Sequence, residues 1–309
     1  MATAPDRLLR RLEWRLGRRL DGRLQGAYRT VWHGDGVDFT DLRAYVPEDD
    51  VRHIDWNVTA RLDEPFVRQY TEDRELTAWL VVDRSASMRF GMKQGKESVA
   101  TELAVGLGRL ISQGGNRVGA ILFDNGKHLV IPPRTGRDQI LRIARELLKP
   151  GQNEAGQDKA GQDKAGQDKA GRTTDLSAMF HLAASTTARR RSLVFVMSDF
   201  IAEPGWDRAL AMLTHRHEVV VIRVTDPAEL ELPDVGLILV EDAETGEQLL
   251  VDTSDPLLRQ RLARQVGARE AELAEGMRRA GVDPHHVTTD QDLLAALVDM
   301  VRRSGRSRR

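Results

Sequence analysis

The chain has 309 residues, of which 40% are apolar, enough for one large domain or a domain with a smaller companion. Lys+Arg 46 against Asp+Glu 47 leaves a net charge of -1, which argues against nucleic-acid binding through bulk charge. Cysteine is absent, so disulfides, thiolate catalysis and Cys-ligated zinc are excluded.

No stretch approaches the roughly 20 apolar residues of a membrane helix. The opening residues lack the apolar run of a signal peptide. A soluble cytoplasmic protein is the expectation. Charge is nonetheless uneven, with arginines crowding the first thirty residues and a basic tail at 304–309. Attachment to nucleic acid or anionic membrane through these ends would show as a steep salt dependence.

Leu8, Leu12, Leu16 and Leu20 recur every fourth residue with arginines between them. That spacing predicts an amphipathic helix packed on the protein's own core. Gly34-Asp35-Gly36 reads as a turn. Val37 to Phe39, Leu42 to Val46 and Pro65 to Tyr70 read as short strands. The acids between Glu48 and Asp55 are expected to join an ion-pair network with Arg52, Arg61 or Arg68.

Thr77 to Asp83 is an apolar run rich in β-branched and aromatic residues, suited to a strand buried on both faces. A helix follows from Ser98 to Ile111, with Val99, Leu103, Leu107 and Leu110 at helical spacing and Gly114-Gly115 as its stop. Val118 to Phe123 is a second buried strand. Leu129 to Ile131 is an edge strand that Pro132-Pro133 should end. Ile140 to Leu148 is a second helix.

Residues 152–171 contain three tandem Ala-Gly-Gln-Asp-Lys copies. A polar five-residue period fits neither helix nor strand, so a flexible insert is expected. Asp175 to Arg189 is a helix, Ser192 to Asp199 a third buried strand, and Trp206, Leu210 and Leu213 mark a helix after Pro204. Val219 to Val224 is a fourth strand. Leu237 to Val240 and Gln248 to Val251 form a hairpin, within 237–251. Pro256 to Arg279 is a long helix, Val287 a short strand and Leu293 to Val301 a closing helix.

Strands alternating with helices predict an α/β, Rossmann-like, mostly parallel sheet with helices on both faces. The divisions are a helix and small β-rich region at 1–74, an α/β domain at 75–303 and the tail at 304–309.

Ligands of such sheets gather at the carboxyl ends of the strands. Two strands end there in an acid, Asp83 and Asp199. Ser85 and Ser87 follow Asp83 at alternate positions, and Thr174 stands just before a helix whose amino end points to the same edge. Two adjacent carboxylates resist joint ionisation, and a divalent cation removes the conflict. Hydroxyls add neutral oxygens. Asp83, Ser85, Ser87, Thr174 and Asp199 are therefore the expected ligands of Mg2+ or Mn2+. With two acids the cation's charge is at most balanced, so a carboxylate from another protein is a favourable further ligand. The expectation is ligand capture by a non-enzymatic module.

Asp83-x-Ser85-x-Ser87-Met88, the Thr174-Asp175-Leu176 loop and Ser198-Asp199 resemble the metal-ion-dependent adhesion site of von Willebrand factor A domains. The segment from Phe39-Thr40-Asp41-Leu42-Arg43 through Ile54-Asp55-Trp56-Asn57, Ala60-Arg61 and Glu72-x-Arg74-Glu75 is similar to domain-of-unknown-function family fifty-eight. The resemblance implies a von Willebrand factor A-like domain with a small β-rich companion. It also implies partnership with a MoxR-type AAA ATPase in a chaperone-like or complex-maturing role. The family's Gly-Gly-Thr loop reads Gly171-Arg172-Thr173-Thr174 here, so either Thr173 or Thr174 could be the ligand.

Other constellations carry weaker signals. Gly91 to Ser98 resembles a phosphate loop but is one residue short between its glycines, with Glu97 where Ser or Thr must hold magnesium. His215-x-His217 and His285-His286 are expected in structural or surface roles. A metal-dependent hydrolase on the same residues is the alternative function. It needs a general base near the cation, for which Asp175 and Glu203 are the candidates.

Overall fold

In a computed structural model, the described residues are 38–300 apart from 48, 63, 72–75, 92–93, 125–126, 150–173, 189, 232–233, 242–247, 294 and 298. The expected helix at Leu8 to Leu20, the Gly34-Asp35-Gly36 turn, the repeat insert, Thr173 and the basic tail lie outside them.

A six-stranded sheet forms the centre, in the order β10-β7-β6-β3-β4-β5. Its strands are β3 (Thr77–Asp83), β4 (Arg117–Asp124), β5 (Lys127–Arg134), β6 (Leu193–Ser198), β7 (Glu218–Thr225) and β10 (His285–Thr288). All neighbours are parallel except β4 and β5. The predicted α/β class, with a mostly parallel sheet, is the one observed.

Alternation along β3 shows why both faces are covered. Ala78, Leu80 and Val82 join one core, while Trp79 and Val81 join the other. The first core holds α2 (Lys96–Gln113) and α3 (Arg137–Leu147), with helical residues between 293 and 300. The second holds α4 (Leu176–Thr187), α5 (Trp206–Arg216) and the end of α7 (Pro256–Arg279). Because apolar side chains point both ways, the strand reads as a continuous apolar run instead of an alternating one.

Before the sheet, β1 (Asp38–Ala44) pairs antiparallel with β2 (Phe66–Thr71). The two short strands expected at 37–39 and 42–46 are one strand, kinked by an irregularity between Phe39 and Asp41. A short helix, α1 (Trp56–Leu62), was not anticipated. It buries none of its residues and leaves Trp56 exposed, so it carries no amphipathic pattern to read. Asp55 starts it by accepting the Asn57 and Val58 amides. In the acidic stretch, Asp49 takes a bidentate pair from Arg43, an arginine outside the expected set, and Asp50 caps the turn at Val51–His53.

Two more boundaries differ from expectation. β5 runs through Pro132 and Pro133 to Arg134, where the prolines were expected to end it. It is the outermost strand, and an edge strand tolerates residues without an N–H on its free side. A further short helix, α6 (Pro227–Leu230), follows β7 and is closed by a capping box between Asp226 and Glu229. Then β8 (Leu237–Glu241) and β9 (Gln248–Asp252) form the expected hairpin. No helix among the described residues is long and apolar enough to cross a membrane.

Candidate metal centre

The chain runs from β3 outward to β4 and β5, then returns to β6 on the other side of β3. The crevice between β3 and β6 is therefore the point where strand order reverses, the place where open α/β sheets bind ligands. Asp83 closes β3 at this crevice, and Ser198-Asp199 closes β6.

Both acids are almost fully buried, as are Ser85 and Thr174, with Ser87 slightly more open. Asp83 Oδ1 accepts the Ser85 amide at 2.9 Å, and Oδ2 accepts the Ser198 hydroxyl at 2.6 Å. The Ser85 and Ser87 hydroxyls stand 3.1 Å apart. Alternation in the loop thus turns both serines to one side. Arg84, between Asp83 and Ser85, turns to the other. It pairs with Glu97 at 2.6 Å and donates to the Lys149 carbonyl at 2.6 Å, past the end of α3.

Asp199 sits in a strained turn. Phe200 beside it has φ 59, a left-handed value that costs a bulky residue of order 1–3 kcal/mol. Packing offsets the strain, since the Phe200 ring meets Trp206 edge-on at 5.2 Å and is buried. The turn lets the Phe200 amide reach Ser198 Oγ at 3.0 Å and the Ile201 amide reach Asp199 Oδ1 at 2.9 Å.

The two carboxylates differ in charge compensation. Asp199 Oδ2 holds the Lys96 ammonium at 2.6 Å. Among the described residues the donors to Asp83 are neutral, the Ser85 amide and hydroxyl and the Ser198 hydroxyl. Burial, and then the nearby Asp199 charge, push the Asp83 carboxyl up from 3.8 to about 6. Thr174 precedes Asp175, which caps α4 by accepting the Ala178 amide at 2.9 Å. The Thr174 Oγ1 atom is buried and has no hydrogen-bond partner among the described residues.

The chemistry of these residues would suit a hard divalent cation: a buried carboxylate facing neutral donors, a second carboxylate near enough to raise it, and a buried hydroxyl oxygen with no partner among the described residues are oxygens such an ion satisfies. Among the described residues no group of three or more His, Cys, Asp or Glu is placed for a metal. The candidate set instead relies on two acids and on hydroxyls, the hard-oxygen chemistry of magnesium rather than that of zinc.

Two residues of the site have roles that only long-range contacts reveal. Ser198 bridges the ends of β3 and β6. Lys96, set aside with the failed phosphate-loop pattern, is fully buried against Asp199 and Glu229. Of the histidines, His215 is exposed and His217 is a buried structural group, bonded to Thr187 and Ser192. Asp175 is occupied as a helix cap, and Glu203 is exposed.

Uncharacterized proteins of Mycobacterium tuberculosis and Mycobacterium bovis are each 38% identical over 300 residues, spanning 96% of this chain and 89% of theirs. Similar solved structures include the conserved hypothetical protein BatB from Bacteroides thetaiotaomicron, with 16% identity and a TM-score of 0.44 over 75% of this chain and 99% of that one. The SpRpn10 VWA domain gives 11% identity and a TM-score of 0.40 over 73% of this chain and 95% of that one. The family described as "Protein of unknown function DUF58" matches residues 41–272. This chain belongs to the DUF58 family.

Proposed function

We propose that the protein is a non-enzymatic binding module that captures an acidic side chain of a partner protein through Mg2+ or Mn2+. Asp83, Ser85, Ser87, Thr174 and Asp199 would hold the cation. The observation that carries this reading is the state of Asp83, a fully buried carboxylate whose hydrogen-bond donors among the described residues are all neutral. Buried charges in proteins are normally paired or bound to metals. When bound, the cation supplies the missing positive charge and an open position for an outside ligand.

The chain's own residues prepare that position. Ser198 and the Ser85 amide fix the two Asp83 oxygens. Arg84 anchors the loop from behind through Glu97 and the end of α3. A MoxR-type AAA ATPase is the partner implied by the family resemblance, and a chaperone-like role would follow from it. Recovery of such an ATPase with this protein in magnesium, and its loss in EDTA, is the expected result of a pull-down. Equal recovery in both would refute a cation-bridged contact.

A further inference from the structure

Lys96 opens α2 at the carboxyl edge of the sheet. A lysine there meets the positive end of the helix dipole, and its burial removes it from water. Neither helix formation nor core packing accounts for it. Its side chain is nevertheless 0% exposed, with Nζ 2.6 Å from Asp199 and 2.5 Å from Glu229. The two carboxylates are not equivalent. Asp199 belongs to the candidate metal centre. Glu229 has a side chain 19% exposed and sits in α6, where its other oxygen accepts the Asp226 amide. One ammonium charge is thus divided between an inner carboxylate and an outer one.

We infer that Lys96 sets the charge selectivity of the metal centre. By compensating Asp199, it leaves Asp83 as the uncompensated carboxylate facing a bound divalent cation. The cation then keeps a net positive charge, and its open position favours an anionic ligand over a neutral one. Glu229 tempers this by drawing part of the ammonium charge outward. The inference rests on the metal-dependent reading above and adds to it a residue that determines which ligand is taken.

Two substitutions at this pair should act in opposite directions. In Lys96→Gln the Asp199 charge becomes available to the cation, so Mn2+ should bind more tightly, by roughly tenfold. In Glu229→Gln the ammonium is left to Asp199 alone and repels the cation more strongly, so Mn2+ should bind more weakly, by roughly fivefold. Glutamine keeps the capping box of α6 available. A purely structural role for the Lys96–Glu229 pair predicts that both variants lose Mn2+ affinity together with stability.

The test is calorimetric titration of Mn2+ into the full chain, wild type and both variants, followed by acetate titration of the Mn2+-loaded proteins read by water proton relaxation. Tighter Mn2+ binding and weaker acetate binding in Lys96→Gln, with weaker Mn2+ binding in Glu229→Gln, support the inference. Unchanged or weaker Mn2+ binding by folded Lys96→Gln overturns it. If Lys96→Gln does not fold, Glu229→Gln decides: weaker Mn2+ binding at an unchanged melting temperature supports the inference, and unchanged or tighter binding, or weaker binding together with a lower melting temperature, overturns it. A wild type that binds Mn2+ while the variants fail these expectations leaves the metal-dependent reading standing. A wild type that binds no Mn2+ overturns both.

Discussion

Ser198 Oγ donates to Asp83 Oδ2 at 2.6 Å, fastening the end of β6 to the end of β3 across the crevice where the strand order reverses. The same hydroxyl oxygen accepts the Phe200 amide at 3.0 Å, so one side chain orients both the buried acid and the strained turn that carries Asp199. Ser198→Ala should destabilise the fold by about 1–3 kcal/mol, the cost of leaving buried polar groups unpaired. Denaturant unfolding measures this, and a change within about 0.5 kcal/mol would show that the bridge is energetically idle.

Asp83 is held at a cost that a cation would remove. Its carboxyl is raised from 3.8 to about 6 by burial and by Asp199, so the folded chain holds this proton more firmly than the unfolded one. The associated stability is present below 3.8 and is lost as pH rises through about 6. At pH 7.5 without metal, Asp83→Asn should therefore melt no lower than the wild type, and as much as a few degrees higher. A large drop in melting temperature would mean that the Asp83 anion is already compensated.

His217 supplies an acid-sensitive element away from the site. The Ser192 amide donates to its Nδ1 at 3.2 Å, so Nε2 carries the proton and faces Thr187 Oγ1 at 3.0 Å. Burial first, then Arg216 and Arg191, lower its pKa below 6.5. The unfolded chain thus binds the proton first, and stability present above 6.5 is lost as pH falls below it. In His217→Gln the stability decline between about pH 6.5 and 5 should be shallower. Parallel pH profiles for the two proteins would rule this out.

Arg84 clamps three segments, since it links the loop after β3, Glu97 in α2 and carbonyls at the end of α3. Arg84→Ala should cost about 1–3 kcal/mol and weaken Mn2+ binding by loosening the Ser85–Ser87 loop. Arg84→Lys should restore little, because a point charge lacks the fork that reaches both Glu97 and the carbonyls. Full rescue by lysine would reduce the clamp to simple charge.

Most of the central sheet was legible because its strands are buried on both faces and stand out as unbroken apolar runs. The carboxyl-edge position of Asp83 and Asp199 followed from those runs alone. Lys96 was not legible, because its partners lie 103 and 133 residues away and one of them sits in a four-residue helix. Read locally, a lysine after Gly95 suggests a phosphate loop. α1 was hidden for the opposite reason, having no buried face to impose a period on its sequence. The passage of β5 through Pro132-Pro133 depends on its edge position, which only strand pairing reveals. Ser198 is visible locally as part of the Ser198-Asp199 pair, but no local signal gives its bond to Asp83, 115 residues earlier.

The central claim is that Asp83 anchors a divalent cation, and calorimetric titration of Mn2+ into wild type and Asp83→Asn at pH 7.5 tests it most directly. The account predicts one saturable site in the wild type and its loss in a folded Asp83→Asn. Metal at about 100 times its dissociation constant should stabilise the wild type by about 2.7 kcal/mol. The same Mn2+ affinity in both proteins, or none in the wild type, would contradict it.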